Sequence, residues 1–246
     1  KNKVRPVWAY PMHAICGEAR FSVPITRLLK EQDIIPETAY GMEMMKGGMT
    51  WLNQQALRAK LFDPGCKYMM IDYSAFDSSV PAWLIRDAFY LIKEKFDFSK
   101  MSIDGKIVDV DEEKEYRKFR KLVNYFINTT IRNSDGRRFV KDHGIPSGSM
   151  FTNIIGTIVN LLVTYTLVDC VLDTVPLFTL AFGDDGLICV KDSVIADLHA
   201  LSLTAKNIFG MSINVDKSYA TRTLRNIHFL GYYNNYGTPV KNPVDL

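Results

Sequence analysis

The sequence predicts an α+β fold. Three observations carry that reading. Amphipathic helical segments and hairpin signals alternate irregularly, without the rhythm of a βαβ array. The stretch TLAFGDDGLICV, Thr179 to Val190, reads as two short buried strands joined by a two-residue turn. The apolar run Ile154–Val168 reads as a core helix; at 15 residues with Asn160 inside, it is too short to span a bilayer.

Composition sets the outer bounds. The chain has 246 residues, 47% hydrophobic and 23% charged, enough for one large domain or two small ones. Its first residues already read as structured sequence, so it is expected to be a piece of a longer protein. A net charge of +3 is weak support for a polyanionic partner. The cations cluster, however: Lys1, Lys3 and Arg5; then Arg117, Lys118, Arg120 and Lys121; then Arg132, Arg137, Arg138 and Lys141. Any one such cluster is ordinarily a solvated face. Cys16, Cys66, Cys170 and Cys189 are scattered, and the histidines are dispersed. Neither a zinc site nor a disulfide framework is expected, in keeping with a reducing compartment. No signal-peptide pattern is visible.

In chain order, residues 1–66 are mixed, with a break at Lys46–Thr50. KYMMIDYSAFDSS reads as a strand running into a turn, and PAWLIRDAFYLIKEKF as a helix begun by Ser79 and Pro81. Phe98–Val110 reads as a polar connection. DEEKEYRKFRKLVNYFINTT is a helix with its acids first, as the helix dipole favours. TTIRNSDGRRFVKD is a hairpin turning at Asp135-Gly136, and HGIPSGSMFTN feeds the apolar helix. A helix over about Val194–Phe209, a strand, and a hairpin in IHFLGYYNNYGTPVK complete the chain.

The hairpin tip carries the chemistry. Asp184 and Asp185 are adjacent, and like charges repel by ~4 kcal/mol at ~4 Å and an effective dielectric of ~20. A turn alone needs only one Asp or Asn beside a Gly. Asp72 ends the apolar strand YMMID. If the strand ends lie side by side, three carboxylates converge, and hard oxygen ligands suit Mg²⁺ or Mn²⁺ rather than zinc. Two such ions about 3.5–4 Å apart clamp the attacking and leaving oxygens of a phosphoryl transfer. Cations there would offset the repulsion. The competing reading is an acidic solvated turn, and a bare Gly-Asp-Asp recurs by chance. Here it is not bare. Asp77 follows Asp72 in DYSAFD; Ser147-Gly148 leads into a helix in SGSMFTN; Lys217 lies in NVDKS, and FLGYY follows.

In that order the motifs resemble palm motifs A to E of viral RNA-dependent RNA polymerases. KVRPVWAYP, with EARF after it, resembles fingers motif F. KVRPVWAYP and PSGSMFTNIIGTIVN are most similar to the partitivirus-like double-stranded RNA viruses, and the resemblance runs from about Lys3 to Tyr233. It implies Asp72 and Asp184 as principal metal ligands, with Asp185 the weaker third acid. It implies Lys217 as the group that protonates departing pyrophosphate, against the plainer reading of a surface lysine. Lys3 and Arg5, with Arg20 as a further candidate, would neutralise the incoming triphosphate. Ser147 and Gly148 would form a mobile loop. Thr152 and Asn153 would lie under the nucleotide, helix capping being their plainer role. Asp77 would accept a hydrogen bond from the ribose 2′-OH. Reverse transcriptases, the alternative, place an aromatic gate there, and Phe76 is one residue early for it. Gly156 departs from the Asn or Asp of many relatives. Asn160, one turn on, is expected to be a buried polar residue bonded within the helix bundle.

The implied architecture is a right-hand palm, an antiparallel sheet carrying the acids and backed by helices, with part of the fingers, the thumb mostly or wholly missing. Residues 1–66 would be fingers with motif F, 67–98 palm with motif A, 99–142 a fingers insertion, and 143–246 palm with motifs B to E. The basic hairpin Arg132–Lys141 would border the RNA channel. Implied partners are RNA template and product, NTPs and two Mg²⁺ or Mn²⁺ ions, with viral capsid protein a candidate and no membrane segment. The implied location is the host cytoplasm, inside the virus particle. A palm-like RNA-binding module without chemistry is the non-enzymatic alternative, and three acids in order argue against it.

Overall fold

The structure, a computed structural model, describes residues 9–31 and 37–241. Two helices lie in the N-terminal part, α1 (Met12–Lys30) and α2 (Gly48–Phe62). Strands β1 (Lys67–Ile71) and β2 (Tyr73–Ser74) lead into the one-turn helix α3 (Phe76–Ser79) and then α4 (Ala82–Lys93). A small hairpin, β3 (Lys100–Ile103) and β4 (Lys106–Asp109), precedes α5 (Glu112–Ile127). A second, β5 (Thr130–Arg132) and β6 (Arg138–Val140), precedes the long α6 (Thr152–Leu172). Then come β7 (Phe178–Phe182), β8 (Asp185–Val190) and α7 (Leu198–Phe209). The described chain closes with β9 (Ser212–Ile213), β10 (Tyr219–Thr221), β11 (His228–Phe229), β12 (Tyr232–Asn235) and β13 (Thr238–Val240).

The central sheet has the order β10-β1-β8-β7, every pair antiparallel. Side chains alternate faces along a strand, and here both faces are buried. Met69, Ile71, Ile188 and Val190 face a core built with α1, α4, α5, α6 and α7. Tyr68, Met70, Leu187 and Cys189 face a second core built with α2 and Phe229. Burial on both faces explains why YMMI and LICV are continuously apolar instead of alternating. Helix α4 buries Leu84, Ile85, Ala88, Phe89 and Ile92, the stripe its sequence spacing predicts.

Four elements differ from the sequence reading. Residues 98–110 hold the β3–β4 hairpin, turned by Asp104-Gly105, both at positive φ. This is the Asp-Gly turn chemistry that favours two-residue hairpins. Helix α7 starts at Leu198 because the Asp197 side chain accepts from Ala200 N–H and caps it. The C-terminal stretch is a three-stranded meander with tight turns at Leu230-Gly231 and Tyr236-Gly237, all four at positive φ. Helix α6 is 21 residues long, so by length and composition it could cross a membrane. In this fold it packs against α4, α7, β7 and β8 and buries Thr157, Asn160 and Thr164. It is a core helix.

Candidate active site

The acids meet at one end of the central sheet. Phe182 and Asp185 close the β7–β8 hairpin, so the turn residues are Gly183 and Asp184, and Asp185 begins β8. Gly183 has φ +62°, and Gly at the first central position is the type II′ pattern. On the other side of β8 the last pair is Ile71 with Gly186, so the next step of the register sets Asp72 opposite Asp185. Asp72 is held by its backbone. Its N–H donates to Ser218 Oγ at 2.9 Å, and its carbonyl accepts from Asn214 N–H at 2.8 Å. Lys217 sits in that same 214–218 turn, exposed.

The electrostatics follow from the geometry. The Asp185 carboxyl is pushed up to about 6 by burial first, then by Asp184 and Asp72. The residue as a whole is exposed, which screens part of the effect, and the direction is that of three acids at one sheet end. No neighbouring cation among the described residues offsets it. The donor set is all carboxylate, which fits a hard divalent ion. Among the described residues no three His, Cys, Asp or Glu side chains form a group that could hold a metal ion by themselves. Mg²⁺ does not demand one: it is commonly held by one or two carboxylates, waters and substrate phosphates.

Helix α6 grips the turn from below with one polar face. Gly183 N–H donates to Thr157 Oγ1 at 2.8 Å, and Asn160 Nδ2 donates to Gly183 O at 3.0 Å. Asn153 Nδ2 donates to the Tyr40 hydroxyl at 3.1 Å, and its Oδ1 would lie 2.7 Å from a Cβ at position 183. Gly183 therefore admits no side chain on two counts, its positive φ and that contact. Gly156 lies against the same turn, where an added Cβ would stand 3.5 Å from Gly183 Cα. Asn160 is fully buried and accepts from Thr164 one turn along α6, as expected of a buried polar residue bonded among the helices, and it also donates to the hairpin.

The loop before α6 is tied to α3. Ile145 N–H donates to Asp77 O at 2.6 Å and Gly144 N–H to Val80 O at 2.7 Å. Asp77 and Ser147 are thus brought to neighbouring segments, both exposed. Thr152 Oγ1 donates to Pro146 O at 2.6 Å, so its hydroxyl shapes the loop, while Gly148 lies in the turn beside Ser147. Two cations differ from expectation. Arg20 pairs with Glu115 at 2.8 Å on α5. Lys141 is drawn inward, donating to Ile127 O and Gly144 O, and burial lowers its pKa to about 8. It is a strut between α5 and the loop, not a free cation. Lys3 and Arg5 lie outside the described residues. Sequence reasoning missed Thr157, Ser218 and Tyr40. The i, i+4, i+7 spacing of Asn153, Thr157 and Asn160 was the available signal for one polar helix face.

An antiparallel sheet with acids at one end, one on a hairpin tip and one on the adjacent strand end, defines a polymerase palm. The chain belongs to the viral RNA-dependent RNA polymerase family, whose model matches residues 1–235. It is 26% identical to an RNA-directed RNA polymerase of Atkinsonella hypoxylon virus (isolate 2H), over 98% of this chain and 41% of that protein. It is 32% identical to an RNA-directed RNA polymerase of Cryptosporidium parvum virus 1 (strain KSU-1), over 66% of this chain and 27% of that protein. The chain thus spans less than half the length of these relatives. Its fold matches the crystal structure of the RNA-dependent RNA polymerase of a human picorbirnavirus with a TM-score of 0.71 at 17% identity, over 97% of this chain and 42% of that one.

Proposed function

We propose that this chain supplies the palm, and part of the fingers, of an enzyme that carries out RNA-directed RNA synthesis. The reaction is attack of an RNA 3′-OH on the α-phosphate of an NTP, with release of pyrophosphate. One observation carries the proposal: Asp72, Asp184 and Asp185 share one sheet end, close enough that two of them raise the carboxyl pKa of the third. In this reading Asp72 and Asp184 hold two divalent ions, Mg²⁺ or Mn²⁺, with Asp185 as the third acid. When bound, the ions neutralise charge on the attacking and leaving oxygens. The protein's own groups do the rest. Lys217, on the turn that pins Asp72, donates a proton to departing pyrophosphate. Asp77 accepts a hydrogen bond from the ribose 2′-OH. Ser147 and Gly148 border the sugar and base. Thr152 and Asn153 act through the loop and the Gly183 turn. Residues 67–98 and 143–246 are read as palm, with 1–66 and 99–142 as fingers. The substrates are NTPs and RNA, and the setting is genome replication and transcription in the virus particle.

Asp184→Asn in the full-length protein tests this. The variant is expected to fold, with a melting temperature no lower than the parent's when divalent ions are chelated, to lose Mn²⁺ binding seen by electron paramagnetic resonance, and to lose NTP incorporation on an RNA template. Mn²⁺ binding and incorporation that both survive the change would refute the assignment.

A further inference from the structure

Glu18 on α1 is fully buried, yet it has no cationic partner among the described residues. Its Oε2 accepts from Ser149 Oγ at 2.8 Å and from Met150 N–H at 2.9 Å. Ser149 Oγ in turn accepts from Phe151 N–H at 3.0 Å, the residue before α6. Glu18 Oε1 and the Tyr10 hydroxyl are buried beside one another, interacting but short of a well-aligned hydrogen bond. Burial raises the Glu18 carboxyl pKa, and the two loop donors, then the Tyr10 hydroxyl, pull it back. A buried carboxylate with one poorly partnered oxygen is costly. An apolar side chain would pack there more cheaply, unless the two converging donors require a charged acceptor. Charge-assisted bonds are roughly twice as strong as neutral ones.

The placement gives that acceptor a task. The loop has an anchor on each side of Ser147-Gly148. Upstream, Gly144 and Ile145 are tied to Val80 and Asp77. Downstream, Ser149 and Met150 are tied to Glu18. A surface tip between two anchors shifts when one lets go.

We propose that Glu18 is a positioning residue, a carboxylate latch that fixes Ser149 and Met150 and so sets where the Ser147-Gly148 tip stands. Its consequence for nucleotide use rests on the reading of that tip under the proposed function. Hydrogen exchange on the full-length protein tests the latch apart from activity. Glu18→Met keeps the volume and removes the acceptor; the Met150 amide should exchange on the order of tenfold faster or more. Amides of β1 and β8 should stay unchanged. Glu18→Gln keeps an acceptor oxygen and should retain most of the protection. In steady-state incorporation, Glu18→Met should raise the NTP KM by roughly tenfold with a smaller change in kcat, and Glu18→Gln should restore it. Unchanged Met150 exchange, or protection lost equally across β1 and β8, would overturn the latch. If Glu18→Met does not fold, Glu18→Ala, which also removes the acceptor, carries the test: Met150 exchange must rise severalfold, and no rise overturns it. If the parent protein fails to incorporate NTPs, the polymerase reading falls, and the exchange pattern still decides the latch.

Discussion

Single side chains divide into those that face the substrate and those that hold the frame. Asp77 is of the first kind in the proposed reading. An unmade bond to a charged acceptor costs roughly 1.5–3 kcal/mol, or about ten- to a hundredfold in rate. Asp77→Ala is therefore expected to lower the preference for GTP over dGTP, mainly by slowing GTP use. The kcat/KM ratio for the two opposite template C measures it, and an unchanged ratio would exclude Asp77 as the sugar reader. Asp185 offers a test without substrate. Its carboxyl pKa is raised from the ordinary 3.8 to about 6, so the folded state binds a proton more tightly than the unfolded one. Its charge costs no stability below about pH 4, costs progressively more as pH rises toward 6, and costs a constant amount above. Asp185→Asn should thus melt higher than the parent at pH 7 with divalent ions chelated, and the difference should vanish near pH 4. The acids were legible because their types, order and spacing are rare together. The partner of Arg20 was not, since nothing local in EARF points to Glu115 on a helix far along the chain.

Among elements, α6 does the most to shape the site, because one face of it holds the Gly183-Asp184 turn. Asn160→Ala would remove the partner of the half-buried Gly183 carbonyl and of the buried Thr164 hydroxyl. The expected cost is about 1–3 kcal/mol of stability, with a fall in incorporation rate beyond what the lost stability explains. Chemical denaturation and single-turnover kinetics on the same variant separate the two. Elements with a buried stripe or a capping signal were readable, as in α4 and in the buried hairpin β7–β8. The β3–β4 hairpin was not, since its side chains are mostly exposed and give no alternation, although Asp104-Gly105 marked the turn. Helix α1 escaped notice with Pro24 inside it, and α2 begins at a glycine pair that reads as a break.

Over the whole molecule, one sheet serves two cores. Leu187 and Ile188 are neighbours on β8, yet Leu187 packs into the core with α2 and Ile188 into the core with the other helices. Leu187→Ala and Ile188→Ala should each destabilise by about 2–5 kcal/mol, and each should unfold the chain in a single thermal transition. Two separated transitions in calorimetry would show that the cores come apart independently. The same sheet has a temporal side. Strand β1 is synthesised first, and its neighbours β8 and β10 lie over a hundred residues downstream. At ribosomal speeds of about 5–20 residues per second, β1 waits roughly 5–25 s for its first pairing partner. Through that interval a nearly uncharged strand, KYMMI, has both edges open, the state in which strands pair with other chains. That interval ends only when the Gly-Asp-Asp hairpin emerges, so chaperone supply during translation is expected to limit the yield of soluble protein.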